Sequence, residues 1–253
     1  MKILIGADPE FFLKQNGKFK SAIGLIGGSK DNPLPIDNLG NAIQEDNVSV
    51  EFNIQPSETY ENFRSVINKV LSHLKTKLSG YEFATESAAT FDSTELQSLQ
   101  AQVFGCDPDY NAWSLKQNRK PYCKNKNLRS AGGHIHIGCD LAVEKPIEII
   151  KACDLFLGVP SVVMDPGTER RQLYGLAGSF RQKKYGVEYR SLSNWWIFSE
   201  ETIKWVFDNT HKAINFVKEN RTIDPIDCYN IQACINNSDL ELFKHLTLKY
   251  NIQ

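Results

Sequence analysis

An α+β fold is what this sequence predicts, and three observations predict it. Several short stretches alternate polar and apolar residues at period two, the pattern of half-buried strands. A long stretch after Ser57 places Phe63, Val66, Ile67, Val70, Leu71, Leu74 and Leu78 on one helical stripe. Between two early alternating stretches, Gln15-Asn16-Gly17-Lys18 offers the residues of a tight hairpin turn.

Taken in order, residues 2–14 read as a first strand showing Asp8 and Glu10 on one face, and the Asn16-Gly17 turn leads to a second strand near 18–23. Residues 24–41, with GG, DNP and DNLG, read as a loop, either beside a site or a plain connection. Gln44 to Pro56 reads as one amphipathic strand: Glu45, Asn47, Ser49, Glu51, Asn53 and Gln55 face one way, and Val48, Val50, Phe52 and Ile54 the other. Ser57 then caps a helix to about Ser79, ended by Gly80. Residues 81–90 read as a strand, and Glu95 to Val103 as a short helix capped by Ser93 or Thr94.

Phe104 to Trp113 reads as an ordered loop whose acids grip a substrate amine or cap backbone groups, the second option ranking first. Cys106 in it reads as a small buried thiol rather than a nucleophile, since no His is near it in sequence. In GGHIHIG, His134 and His136 alternate with Ile135 and Ile137, and the glycines permit a close backbone approach. Pro146 opens a helix to about Val163. Residues 165–172 read as a polar loop whose Arg170 and Arg171 meet phosphate or are solvated.

Residues 174–184 deliver Arg181 to the stretch Gly186–Trp196, which as a strand shows Glu188 and Arg190 on one side and Val187 and Tyr189 on the other. The last quarter reads as helices, Glu200 to about Asn220 and Ser238 to about Tyr250, the latter opened by a capping box of Ser238 and Glu241. Trp195, Trp196, Phe198, Trp205 and Phe207 read as packing those helices on the sheet, ahead of a stacking platform for a base.

Composition narrows the function classes. With 253 residues, 41% of them hydrophobic, and a net charge of -1, the chain can bury a sizeable core and carries no basic footprint that would make nucleic acid an obligatory partner. Six cysteines, Cys106, Cys123, Cys139, Cys153, Cys228 and Cys234, show no CxxC spacing, no run is long enough for a membrane span, and Asp8 and Glu10 interrupt any signal-peptide core. A protein of a reducing cytoplasm with free thiols is expected. The chain is expected to be one domain over 1–253, with a helical part over 197–253 packed on it.

Asp, Glu, His and Arg at matched positions in four separate alternating stretches point to a shared polar cavity. Hard cations prefer carboxylate oxygen and tolerate imidazole, and clustered carboxylates need a cation to be stable.

The ordered set DPEFF, a strand with two acids, GGHIH, SFR and VEYR resembles the glutamine synthetase and glutamate-cysteine ligase superfamily of carboxylate-amine ligases, most of all its small phage-type amidoligases, over roughly residues 3–196. The resemblance implies a curved antiparallel sheet, a half-barrel like the glutamine synthetase catalytic domain, that holds ATP and Mg²⁺ or Mn²⁺. It implies Asp8, Glu10, Glu45, Glu51, His134 and Glu188 as metal ligands. Arg181 and Arg190 would stabilise the transferring phosphoryl group beside Glu188, with Lys184 as a further cation for the nucleotide. Asp8 is shorter than the commoner Glu, Glu45 and Glu51 are closer in sequence than in glutamine synthetase, and the role of His136 stays open.

The expected activity is ATP-dependent joining of a small-molecule or peptide carboxylate to an amine through an acyl phosphate, in the cytoplasm, or the host cytoplasm if phage-encoded. Small peptides, polyamines, cell-wall precursors, a protein side chain and a modified nucleobase all stand as substrates. The rivals are a Zn²⁺ hydrolase built on the HxH pair, which leaves Arg181 and Arg190 without a task, and an inactive nucleotide-binding relative.

Overall fold

The computed structural model describes residues 1–102, 109–120, 122–165 and 167–252; Cys106 and the 104–108 part of the expected loop lie outside them. The expected first strand is two, β1 (Leu4–Ala7) and β2 (Glu10–Gln15), because Pro9 lacks the N–H that an unbroken ladder uses. Asn16 and Gly17, at φ 52° and 73°, make the turn into β3 (Lys18–Lys20), a two-residue hairpin that needs the left-handed region at both positions. After a short β4 (Leu34–Pro35), a second hairpin joins β5 (Ala42–Asp46) to β6 (Ser49–Ser57) around Asn47 at φ 53°. The single strand expected over 44–56 is therefore corrected to a hairpin.

Helix α1 (Tyr60–Lys77) is capped by Thr59, not Ser57: the Thr59 hydroxyl accepts the Asn62 N–H at 3.3 Å. Its expected apolar stripe is buried throughout. Next come β7 (Glu82–Ala84), β8 (Ala88–Thr90), a 3₁₀ turn and α2 (Leu99–Gln102), β9 (Tyr110–Asn111), β10 (Lys116–Gln117), β11 (Leu128–Ser130) and β12 (Ile135–Gly138). Helix α3 (Asp140–Glu144) precedes a helical run that Pro146 opens, α4 (Pro146–Cys153), a π turn and α5 (Val159–Met164). Where a polar loop is expected the chain forms α6 (Glu169–Leu173), followed by β13 (Ser179–Lys183) and β14 (Gly186–Tyr189).

The C-terminal helices are α7 (Glu200–Lys218), α8 (Asp227–Asn237) and α9 (Leu240–Tyr250). Asp239, not Ser238, caps α9 by accepting the N–H groups of Glu241 and Leu242, and Ser238, at φ 53°, closes α8 instead.

Twelve strands form one antiparallel sheet in the order β10-β9-β13-β14-β12-β1-β6-β2-β3, with β5 on β6, β4 on β5 and β7 on β2; β8 and β11 pair separately. The path does not close on itself, so the fold is α+β with a large open sheet. One face is apolar: Ile5, Ala7, Phe11, Val50, Phe52, Ile135, Ile137, Val187 and Tyr189 meet α1, α4 and α7 in the main core. Trp196, fully buried, stacks on Phe63 at 6.0 Å, and Trp195 lies against Trp205, so these aromatics serve the core. Period-two alternation then obliges the intervening side chains of the central strands to share the other face.

Candidate active site

The register of the central strands builds the site. Gly6 of β1, His136 of β12, Glu188 of β14 and Arg181 of β13 are direct cross-strand partners and so lie in one row. A step along the strands, Asp8, His134 and Arg190 form a second row: the Asp8 N–H donates to the His134 carbonyl, and Arg190 Nη1 lies 3.2 Å from His134 Nδ1. On the other side of β1, Glu10, Glu51 and Gln44 are register partners across β2, β6 and β5.

Three donor groups converge tightly. The ligand atoms of Asp8, His136 and Glu188 all lie within 4.8 Å of one another. His136 Nε2 is 3.2 Å from Asp8 Oδ1, and the Tyr185 hydroxyl is 3.1 Å from His136 Nδ1. His134 Nδ1 is also 3.2 Å from Asp8 Oδ1. That nitrogen thus lies between the Asp8 carboxylate and Arg190, and its one N–H or one lone pair serves a single partner at a time. The donor set thus fits a hard divalent ion, with His136 a ligand as well placed as His134.

Cations surround Glu188. Arg190 Nη1 bonds its carboxylate, Lys183 Nζ is 2.7 Å away and Arg181 Nη1 3.8 Å. Burial and the Asp8 charge push the Glu188 carboxyl up, but Arg190, His134 and His136 prevail and hold it at about 2. Burial opposes Asp8 likewise, and the two histidines keep it well below the usual carboxylate range. Both groups are therefore ionised and ready for a metal. The neighbouring acids behave oppositely. Burial, then the Asp46 charge, raises Glu10 to about 7, and burial with Asp8, Glu10 and Asp46 raises Glu51 well above its ordinary value.

Two expected residues are placed elsewhere. Glu45 pairs with Val50, on the face opposite Glu51, and its Oε1 accepts the N–H groups of Gly24 and Gly27, both at 2.8 Å. The reason is parity: the two-residue turn at Asn47 carries Gln44 and Asp46 onto the face of Glu51 and turns Glu45 away. Lys184 is exposed in the β13–β14 turn, and Lys183, two residues after Arg181, reaches Glu188 in its stead.

Asp46 and Lys183 were missed because the pattern looked unbroken. The signal was Asp46-Asn47, a pair that favours turns. Also missed was the contact of Asp109, 2.9 Å from Arg190 Nε and 3.4 Å from Arg181 Nε. Arg170 and Arg171 are buried, not solvated: Arg170 donates to the Ser191 and Arg190 carbonyls and Arg171 to those of Ser161 and Asp165. Behind the sheet, buried Asp154 accepts from the Tyr189 hydroxyl at 2.8 Å and Trp113 Nε1 at 2.6 Å, tying β14 to the segment that carries Asp109.

A test separates Glu45 from its neighbour. Glu45→Gln is expected to cost about 1 kcal/mol of stability, a charged acceptor becoming a neutral one, with turnover and metal affinity unchanged. Asp46→Asn is expected to lower turnover at unchanged stability. Paired denaturant melts and kinetics check both.

Residues 125–249, just under half of the chain, match the family model described as Phage phiEco32-like COOH.NH2 ligase-type 2. The match includes His134, His136, Arg181, Glu188 and Arg190, and it runs on through the C-terminal helices, which the motif resemblance left out. Among curated proteins nothing matches. Among solved structures, the crystal structure of a bifunctional glutathione synthetase from Pasteurella multocida is similar at TM-score 0.44 and 10% identity, over 99% of this chain and 47% of that one. The chain thus spans about half the length of that structure. No described helix is long and apolar enough to cross a membrane. By its motifs and by the match over residues 125–249, this chain resembles the phage-type carboxylate-amine ligases.

Proposed function

We propose that this chain is an ATP- and Mg²⁺-dependent carboxylate-amine ligase that works through an acyl phosphate on a glutamine synthetase-like sheet. The carrying observation is the juxtaposition of Asp8, His136 and Glu188 with Arg181, Lys183 and Arg190 on one sheet face. A carboxylate does not condense with an amine in water unless its oxygen is first made a leaving group. The substrate carboxylate attacks the γ-phosphorus, the bond to the ADP oxygen breaks, and the acyl phosphate forms.

Bound Mg²⁺ supplies charge neutralisation for the phosphate oxygens. Asp8, His136 and Glu188 would hold it, with His134 alongside. Arg181 and Arg190, oriented by Asp109, take the charge that develops on the transferring group. Lys183 is poised to leave Glu188 for phosphate. The amine, entering as an ammonium, gives one proton to Glu10, the acid raised to about 7 and so able to accept it near neutrality. Nitrogen then attacks the acyl carbon, the C–O bond to phosphate breaks, and the second proton leaves with the phosphate.

Incubation with ATP, Mg²⁺, a pool of carboxylates and a pool of amines tests this. ADP release that requires both pools is the expected result. Release of product with Zn²⁺ and no nucleotide, or nucleotide binding with no ADP under any pool, overturns it.

A further inference from the structure

The two histidines of β12 are held in different ways. His134 turns Nδ1 toward the cluster, 3.2 Å from Asp8 Oδ1 and 3.9 Å from Glu188 Oε1, and Arg190 Nη1 stands 3.2 Å from the same atom. His136 turns Nε2 inward instead, 3.2 Å from Asp8 Oδ1, and this atom is shut off from water with no well-aligned hydrogen bond among the described residues. Its other nitrogen, Nδ1, lies 3.1 Å from the Tyr185 hydroxyl, a neutral phenol rather than a charged group.

The fold fixes Tyr185 there. The turn from β13 to β14 is two residues, Lys184 and Tyr185, closed by the pairing of Lys183 with Gly186. At Gly186, φ 148°, a Cβ would come within 2.1 Å of the Ile137 carbonyl oxygen, so only glycine lets the chain leave the turn this close to β12. Gly138 follows His136 by two residues and therefore shares its face. A Cβ there would be 3.7 Å from Tyr185 Cδ2, so the phenol ring lies over a position that carries no side chain. From that position it reaches His136, with the ring centroids 6.1 Å and the planes 29° apart. Tyr185 is 45% exposed, so solvent takes the hydroxyl proton's hydrogen bond and the phenol oxygen is left to accept from the imidazole.

We propose that Tyr185 is a positioning residue of the metal-holding cluster: its oxygen accepts the His136 Nδ1–H, which sets the tautomer whose Nε2 lone pair faces Asp8 and Glu188. A neutral imidazole carries one N–H, so holding that proton at Nδ1 frees Nε2, and the same bond keeps the ring from turning about its Cβ–Cγ axis. The inference rests on the part of the reading above that gives the metal to Asp8, His136 and Glu188, and not on the ligase reaction.

Mn²⁺ titrated into the full-length chain without nucleotide tests it. Tyr185→Phe keeps the ring and removes the oxygen. It is expected to melt as the wild type does and to bind Mn²⁺ ~10-fold more weakly, the consequence of losing the partner that orients a histidine ligand. His136→Ala is expected to weaken Mn²⁺ at least as much, and adding Tyr185→Phe to it to change nothing further, because the hydroxyl acts through the ring. Nitrogen-15 spectra of the Mg²⁺-loaded chain are expected to show His136 protonated at Nδ1 in the wild type and a mixture of tautomers in Tyr185→Phe. Wild-type Mn²⁺ affinity in either single variant, an equal loss from Tyr185→Phe with and without His136, or an Nε2–H tautomer in the wild type overturns this inference and leaves the ligase reading standing. No Mn²⁺ binding by the wild-type chain overturns the metal reading and this inference with it. A Tyr185-dependent Mn²⁺ affinity with no ADP release from any pool of carboxylates and amines overturns the ligase reading alone.

Discussion

Glu188→Gln is expected to reduce nucleotide turnover by about 10³-fold or more, the scale on which loss of one well-placed electrostatic group acts. The side chain is completely buried and serves two sets of partners at once. Toward Asp8 and His136 it offers an anionic oxygen for a metal, and toward Arg190, Lys183 and Arg181 it balances three cations. The amide keeps the volume and loses both roles. Loss of a buried charge among cations also costs stability, by about 3 kcal/mol, so the variant is expected to melt lower while remaining folded.

A second substitution tells the two losses apart. Glu188→Gln with Lys183→Met removes the stranded ammonium together with the carboxylate, and is expected to recover much of the stability with none of the turnover. Denaturant melts, Mn²⁺ binding and ADP release measured on the three proteins decide the matter. Wild-type turnover in Glu188→Gln would take Glu188 out of the mechanism.

What was legible in the sequence was parity inside a strand. His134 and His136 against Ile135 and Ile137, or Glu188 and Arg190 against Val187 and Tyr189, assign their faces from the pleat alone, and in the structure these apolar partners are fully buried. What was not legible was any break that preserved the look of alternation. A two-residue turn at Asn47 and another at Lys184–Tyr185 each reset the parity, so Asp46 and Lys183 occupy the places expected of Glu45 and Lys184. Contacts from distant segments leave no local trace at all. Asp109 reaches Arg181 and Arg190 through the fold, and Arg170 is buried on the backbone carbonyls that follow β14. Helix ends were displaced for a similar reason: several residues near each boundary can cap, and tertiary packing selects Thr59 over Ser57 and Asp239 over Ser238.

Gly132 and Gly133 are adjacent and both intolerant of a side chain, yet their alanine variants are expected to fail differently. At Gly132 a Cβ would lie 2.3 Å from His134 Nε2 and 3.0 Å from Arg170 Nη2, both ends of side chains. The histidine ring can swing, so Gly132→Ala is expected to fold with a loss of about 1–3 kcal/mol, the cost of overpacking a buried site. The displaced ring leaves Asp8 and Arg190, and the Gly132 N–H that donates to Glu10 at 3.0 Å shifts with it. Metal affinity and turnover should both fall by 10-fold or more, about the consequence of misplacing a group that orients a metal ligand. At Gly133 the same Cβ would lie 2.2 Å from the Ser193 carbonyl oxygen and 2.5 Å from Trp196 Nε1, which itself donates to the Gly133 carbonyl. Backbone and a fully buried indole cannot move aside without separating the 132–133 segment from the chain that follows β14, where the Gly133 N–H bonds the Leu192 carbonyl at 3.0 Å. Gly133→Ala is therefore expected to lose about 4 kcal/mol or more, the range in which a single change is diagnostic of a core clash, and to be recovered poorly as folded protein. Circular-dichroism melts alongside Mn²⁺ binding give the discriminating pair: a folded Gly132→Ala that binds metal as the wild type does would show that His134 plays no part in holding the cation.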